Sequence, residues 1–166
     1  MMLIREICED DAEKFLDLGK KLVEETQFMM LEPGERLITV EEQRERIKRL
    51  LSRDNQTILV VEIKNQMIGY LAALGGEYRR NRRSVHIVIG ILHDFTSQGI
   101  GTQLFKEMES WAHKQSVHRL ELTVMAHNTI ALGLYKKMGF EIEGTKRDSL
   151  LVNGQYVDEY FMAKLI

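Results

Sequence analysis

One proline, one cysteine and one tryptophan among 166 residues leave several protein classes without support. A lone thiol cannot close an internal disulfide, so a reducing, cytoplasmic setting is expected rather than a stapled secreted scaffold. Cys8 sits in a short apolar run, where a buried, unreactive thiol is expected. With only Pro33 and no Gly-, Ser- or Pro-rich tract there is no linker, and the length suits one domain over residues 1–166. No apolar run approaches the ~20 residues needed to cross a bilayer. The start, "MMLIREICEDD", lacks the basic and apolar regions of a signal peptide. Charge of one sign is missing too: 23 Lys and Arg stand against 25 Asp and Glu, net −2, which argues against a phosphate-backbone binder. Neither nucleic acid nor membrane is expected as a partner. The five histidines show no ligand-like spacing, so no metal site is expected.

What is present is a succession of short strands and amphipathic helices. "LIREI" reads as a strand, followed by a helix from about Asp10 with Phe15, Leu18, Leu22 and Val23 at helical spacing. Thr39 with Glu42 forms a capping box for a helix through Arg53. "QTILVVEI" and "QMIGYLAALGG" flank a Lys64–Asn65 turn, and "SVHIVIGIL" follows the basic hairpin tip "YRRNRR". A helix, the strand "RLELTVM" and a helix from Asn128 to Met138, ended by Gly139, come next. Two strands around Asn153–Gly154 close the chain. The order β-α-α-β-β-β-α-β-α-β-β is an α+β (mixed α/β) fold, a sheet with helices on both faces.

The stretch "TSQGIGTQLFKEMESWA" places Gly99 and Gly101 where a helix begins, and that helix buries Ile100, Leu104, Met108 and Trp111. A helix N-terminus presents free N–H groups and partial positive charge, and glycine there lets a phosphate approach. A tight strand-to-helix connection needs glycine equally, so both readings stand on this stretch alone. A dinucleotide fingerprint is set aside because its third small position is Leu104, and no Gly-Lys-Ser/Thr follows for a Walker loop. Asn128, Ala131 and Tyr135, spaced i, i+3, i+7, share one face of the next helix. Taken alone they read first as a helix cap and a core aromatic with a polar tip, and only the glycine loop upstream turns them toward a binding face.

Together, "IVIGILHDFTSQGIGTQLF" and "RLELTVMAHNTIALGLYKKMGFEIEGTKRD" resemble the Gcn5-related N-acetyltransferase (GNAT) family over roughly residues 57–164. The C-terminal part is similar to the ribosomal-protein N-terminal and polyamine acetyltransferases. The resemblance implies a GNAT-type sheet of about seven strands, mostly antiparallel, with four helices, and acetyl-CoA as co-substrate. It implies that the backbone of Thr96, Ser97, Gln98, Gly99, Ile100, Gly101 and Thr102 holds the pyrophosphate. Thr96 departs from the family's usual Arg or Gln, with Gln98 placed to compensate. The strand residues Ile89 and Ile91, with Asn128 and Ala131, are implied for the pantetheine arm, and Tyr135 as general acid for the thiolate. A bulge is expected at Gly90, offering an N–H to the thioester carbonyl. His86 and Glu121 are candidate bases; a hydrogen-bonded core histidine and a structural ion pair are their alternatives, and a water chain replaces both if neither serves. Glu24 and Glu25 are acceptor-side candidates. The function implied is transfer of acetyl to a primary amine, on a small molecule or a peptide, by direct attack in a ternary complex. The alternative is a non-catalytic acyl-CoA sensor of the same fold. A homodimer is compatible with the family.

Overall fold

In the computed structural model, which describes residues 1–166, the strand-like runs pair into one seven-stranded sheet. Its strands are β1 (Met2–Glu6), β2 (Gln56–Ile63), β3 (Gln66–Gly75), β4 (Ser84–Ile91), β5 (Arg119–Met125), β6 (Glu141–Val152) and β7 (Gln155–Leu165). The helices are α1 (Ala12–Glu25), α2 (Val40–Leu51), α3 (Ile100–Lys114) and α4 (Thr129–Lys137). Spatial order is β1-β2-β3-β4-β5-β7-β6, and every neighbouring pair is antiparallel except β4 with β5. Lys64 (φ 49°) and Asn65 (φ 65°) turn β2 into β3, and Asn153 (φ 49°) and Gly154 (φ 76°) turn β6 into β7. Two left-handed residues in sequence match the twist of the strands they join. No helix is long and apolar enough to cross a membrane.

The parallel pair is short. β4 and β5 meet only at Ser84 with Arg119, Val85 with Leu120 and His86 with Glu121. Beyond that, β4 stays with β3 out to Ile91 and β5 stays with β7 out to Met125. The sheet therefore opens into a notch between the carboxyl ends of its two central strands. One face carries α1: Phe15 meets Tyr70 edge-on at 5.2 Å between ring centroids, and Leu22 lies over Gly90. The other carries α3 and α4, where the bare Cα of Gly101 faces Leu134 and Ile91. Leu104, Phe105, Met108 and Ala112 of α3 are fully buried, as their periodicity predicts, while Trp111 is half-buried.

Local chemistry sets the helix ends. Thr39 Oγ1 accepts the Glu42 N–H at 3.1 Å while Glu42 Oε2 accepts the Thr39 N–H at 2.7 Å, completing the expected capping box. The helix it opens stops at Leu51 rather than Arg53. A 3-10 turn, Glu9–Asp11, delays α1 to Ala12. Cys8 corrects the expectation of a buried thiol. Ile7 takes the inward position (2% exposed), and the next residue, Cys8, is turned to solvent.

Arg5 ties β1 to that turn and to β2. Its guanidinium donates to Asp11 Oδ2 at 2.7 Å and Oδ1 at 2.8 Å, and to Glu62 Oε1 at 2.7 Å. The Arg5 hydrogen bonds, assisted by the Cys8 N–H and opposed by burial, pull the Asp11 carboxyl down to about 2. A carboxyl depressed on folding stabilises fully above its unfolded value near 4, and that contribution disappears as pH falls through about 2. With Arg5 partly solvated, about 2 kcal/mol is an upper figure for the linkage. Urea unfolding at pH 5 and pH 2 is therefore expected to show a smaller loss of stability in Asp11→Asn than in the parent, by up to that amount. Equal losses in the two proteins would contradict the assignment.

Candidate functional site

The notch is lined by backbone before it is lined by side chains. The Ser84 carbonyl accepts the Gly76 N–H at 3.2 Å and the Leu92 N–H donates to Ile68 O at 2.9 Å, so even-numbered residues of β4 face β3. Strand alternation turns Ile89 and Ile91 toward the side that β5 has left. Their N–H and C=O groups face the opening. Gly90 lies between them without a bulge, since the β3–β4 register runs unbroken from Gly69–Ile91 to Gly75–Val85. That corrects the expected bulge. A Cβ there would meet Leu22 Cδ1 at 2.8 Å and Tyr70 Cε1 at 3.1 Å, so any larger residue would have to displace the Leu22 methyl.

Past β4 the chain makes a 3-10 turn, His93–Phe95, then the glycine loop. Thr96 Oγ1 donates to His93 O at 2.8 Å, and Gln98 Nε2 donates to Asp94 O at 3.0 Å. Gln98 thus braces the loop from inside while the Thr96 hydroxyl is spent locally. Ser97 (φ 60°) and Gly99 (φ 79°) are left-handed, and α3 starts directly after Gly99. The first helical bond is Gln103 N–H to Gly99 O at 3.1 Å. The N–H groups of Ser97, Gln98, Gly99, Ile100, Gly101 and Thr102 make no bond within the chain. This run of free donors lies at the positive end of α3. Lys137 Nζ stands 3.4 Å from Thr102 Oγ1, adding a cation.

The two glycines differ in purpose. Nothing lies within 4 Å of where a Gly99 side chain would start, and its positive φ is what calls for glycine. At Gly101 a Cβ would meet Leu134 Cδ2 at 2.7 Å. The expectation that both clear room for a ligand is corrected at Gly101, where the missing side chain lets α4 close on α3.

That contact sets α4 beside the loop. Asn128 caps the helix, its Oδ1 accepting the Ala131 N–H at 3.3 Å. The far end is a Schellman closure: Phe140 N–H bonds Tyr135 O at 2.9 Å and Gly139 N–H bonds Lys136 O at 3.0 Å, with Gly139 at φ 93°. Tyr135 is 7% exposed. Phe105 holds its ring edge-on at 5.9 Å, and Phe140 packs at 6.1 Å. Burial, with a smaller contribution from Tyr70, pushes the phenol well above its ordinary range, so it is protonated at neutral pH. Its hydroxyl bonds no residue of the chain. Gln43 Oε1 is the one fully buried side-chain polar atom without a partner, so the Tyr135 hydroxyl reaches accessible space.

His86 and Glu121 are adjacent register partners on the α1 face, at the closed foot of the notch. Gly90 lies four positions beyond His86, about 13 Å along the strand. Glu121 Oε2 accepts from Arg119 Nε at 2.7 Å, and Arg119 also holds Glu143 with two bonds of 2.7 and 2.6 Å. No three His, Cys, Asp or Glu side chains gather into a metal-holding group.

At the end of α1 lies a cleft of about 660 Å³. Its walls come from the end of α1, the following connection, Met125 and the β6–β7 hairpin. Glu24 and Glu25 both line it, and Glu25 Oε2 accepts the His93 N–H at 2.9 Å, joining cleft to loop. Phe28, Met29 and Met30 form much of the apolar wall, and Phe28 packs on His127 at 5.0 Å. In the sequence this wall is "FMMLEPGERLI", whose apolar residues keep neither a helical nor a strand period, and that is the one signal it carries. Tyr70 is the one hydroxyl-bearing residue of β3, and no motif or spacing in the sequence marks it.

Comparisons with known proteins agree with this fold. The model of the acetyltransferase (GNAT) family matches residues 18–140. An L-amino acid N-acetyltransferase, AaaT, of Escherichia coli (strain K12) is 38% identical over 124 residues, 71% of this chain and 74% of that protein. A GNAT acetyltransferase from Streptococcus pneumoniae superimposes with a TM-score of 0.96 at 31% identity, each chain covered in full (100%). The ribosomal-protein-alanine N-acetyltransferase of Brucella melitensis gives 0.85 at 27% identity, with 99% of both chains covered. By the matched family and by relatives similar along most of its length, this chain belongs to the GNAT family of acetyltransferases.

Proposed function

We propose that this protein transfers acetyl from acetyl-CoA to a primary amine by direct attack in a ternary complex. The observation that carries the reading is the run of free amides from Ser97 to Thr102 at the start of α3, with the Tyr135 hydroxyl of the neighbouring α4 unpaired and reaching accessible space. Those amides and Lys137 suit a diphosphate. Ile89, Ile91, Asn128 and Ala131 suit the pantetheine arm, through strand-edge amides and the first turn of α4. Tyr135, a neutral phenol, donates its proton to the departing thiolate, whose ordinary pKa is near 8.5. Thioester chemistry supplies the activated acetyl group, and no nucleophilic side chain is needed.

Neither His86 nor Glu121 is assigned as base. The strand distance of His86 from Gly90 and the ion pairing of Glu121 favour an amine deprotonated through water. The acceptor enters by the cleft between α1 and the β6–β7 hairpin, with Glu24 facing an incoming ammonium. Similarity to an L-amino acid N-acetyltransferase makes an L-α-amino acid the first acceptor to try, and the Phe28, Met29 and Met30 wall of the cleft suits one with an apolar side chain.

Acetyl-CoA at 100 times its Kd is expected to add about 2.7 kcal/mol of stability, read as a rise in Tm, while NAD adds none. Free-thiol release is then followed with L-methionine, L-methioninamide, spermidine and an alanine-initiated pentapeptide. Release with at least one amine is expected. A thermal shift without release from any primary amine would instead support a sensor, and no shift would overturn the reading.

A further inference from the structure

Tyr70 is the group near the notch that the reaction described above leaves unused. It lies on β3 directly opposite Gly90, in the stretch where β4 has parted from β5. Its ring rests against Gly90, whose absent Cβ would stand 3.1 Å from Tyr70 Cε1, and Phe15 of α1 holds it edge-on at 5.2 Å. Tyr135 belongs to α4 on the opposite face, and the field of Tyr70 reaches its phenol, so the two side chains approach one another across the sheet. No residue of the chain hydrogen-bonds the Tyr70 hydroxyl, and it is not among the fully buried unpaired atoms, so it too touches accessible space. The neighbours in "QMIGYLAALGG" are apolar, and phenylalanine would fill the same volume without a polar atom to desolvate.

We propose that the Tyr70 hydroxyl binds the acceptor amine and aims it at the thioester from the face opposite Tyr135. The inference rests on the acetyl-transfer reading. Burial raises the phenol above its ordinary range, against the opposing field of Arg36, so Tyr70 stays protonated and is no base. A neutral phenol oxygen accepts an N–H of the neutral amine, which leaves the nitrogen lone pair free for the carbonyl carbon. As the N–C bond forms and the C–S bond breaks, the thiolate takes its proton from Tyr135. The proton released by the nitrogen leaves through water and restores that phenol. Tyr70 gives up no proton in the cycle.

Tyr70→Phe isolates the hydroxyl, because the ring keeps its packing on Phe15 and Gly90. With acetyl-CoA saturating and each of the four amines in turn, the variant is expected to lose at least tenfold in kcat/KM for any amine turned over. KM for acetyl-CoA, Tm and the shape of the pH–rate profile are expected to stay as in the parent. Equal kcat/KM overturns the inference, and so does a loss traced to acetyl-CoA binding or to a shifted pH profile. A conjugate joining the methionine nitrogen through an acetyl group to the sulfur of CoA gives a readout without turnover. The parent is expected to bind it more tightly than CoA, and Tyr70→Phe to lose that margin. A margin absent from the parent, or equal in both proteins, overturns the role of Tyr70, whereas failure of acetyl-CoA itself to bind overturns the proposed function beneath it.

Discussion

Tyr135→Phe is expected to lower kcat for acetyl transfer about 100-fold, the lower range for a positioned general acid, and to leave acetyl-CoA affinity within about twofold. Two features separate these effects. The hydroxyl bonds nothing in the chain, so removing it breaks no structural contact and Tm stays level or rises. The ring is held by Phe105 and Phe140, which phenylalanine at the same position retains. What disappears is the proton for the thiolate. Burial pushes the phenol upward, so the acid stays loaded well into alkaline solution, and the parent rate is expected to show no fall between pH 8 and pH 10 from this group. Single-turnover thiol release beside a binding titration separates chemistry from affinity. Unchanged kcat in the variant, or a loss confined to acetyl-CoA binding, would remove Tyr135 from the chemical step.

Phe105→Ala is expected to cost about 4 kcal/mol of stability and to lower Tm by roughly 8–16 °C. Phe105 is fully buried in α3 and meets both Tyr135, at 5.9 Å, and Phe140, at 5.5 Å, edge-on. Its removal leaves a cavity between α3 and α4, and the rigid neighbouring rings cannot collapse into it. The same cavity frees Tyr135 to turn. Phe105→Leu, which refills most of the volume, is expected to fold but to lose activity beyond its loss of stability. Urea unfolding and turnover on the two variants check this, and a Leu variant with parental kcat would show that the aromatic contact does not orient Tyr135.

Much of this was legible because it is local. The apolar stripe of α3, the Thr39–Glu42 box and the Lys64–Asn65 and Asn153–Gly154 turns each depend on residues within a few positions of one another. Gly139 announced its own left-handed turn for the same reason. The failures are long-range or fall at a single position. Gly90 looks in sequence like a bulge, yet its glycine answers to Leu22, 68 residues earlier, and to Tyr70 on the next strand. Gly101 answers to Leu134 across the helix pair. Cys8 missed by one place, and in a strand end one place exchanges inside for outside. His86 and Glu121 are register partners only because β4 and β5 happen to be parallel there, which no spacing in either strand reveals. The acceptor cleft joins residues near position 28 to residues near 151, so its shape belongs to the folded chain alone.

The crystal structure of the protein with acetyl-CoA tests the central claim most directly. Diphosphate oxygens are expected within about 3.2 Å of backbone nitrogens between Ser97 and Thr102, with the sulfur about 3–4 Å from the Tyr135 hydroxyl. A diphosphate seated elsewhere while those amides remain in water, or a sulfur lying away from Tyr135 across the sheet, would contradict it.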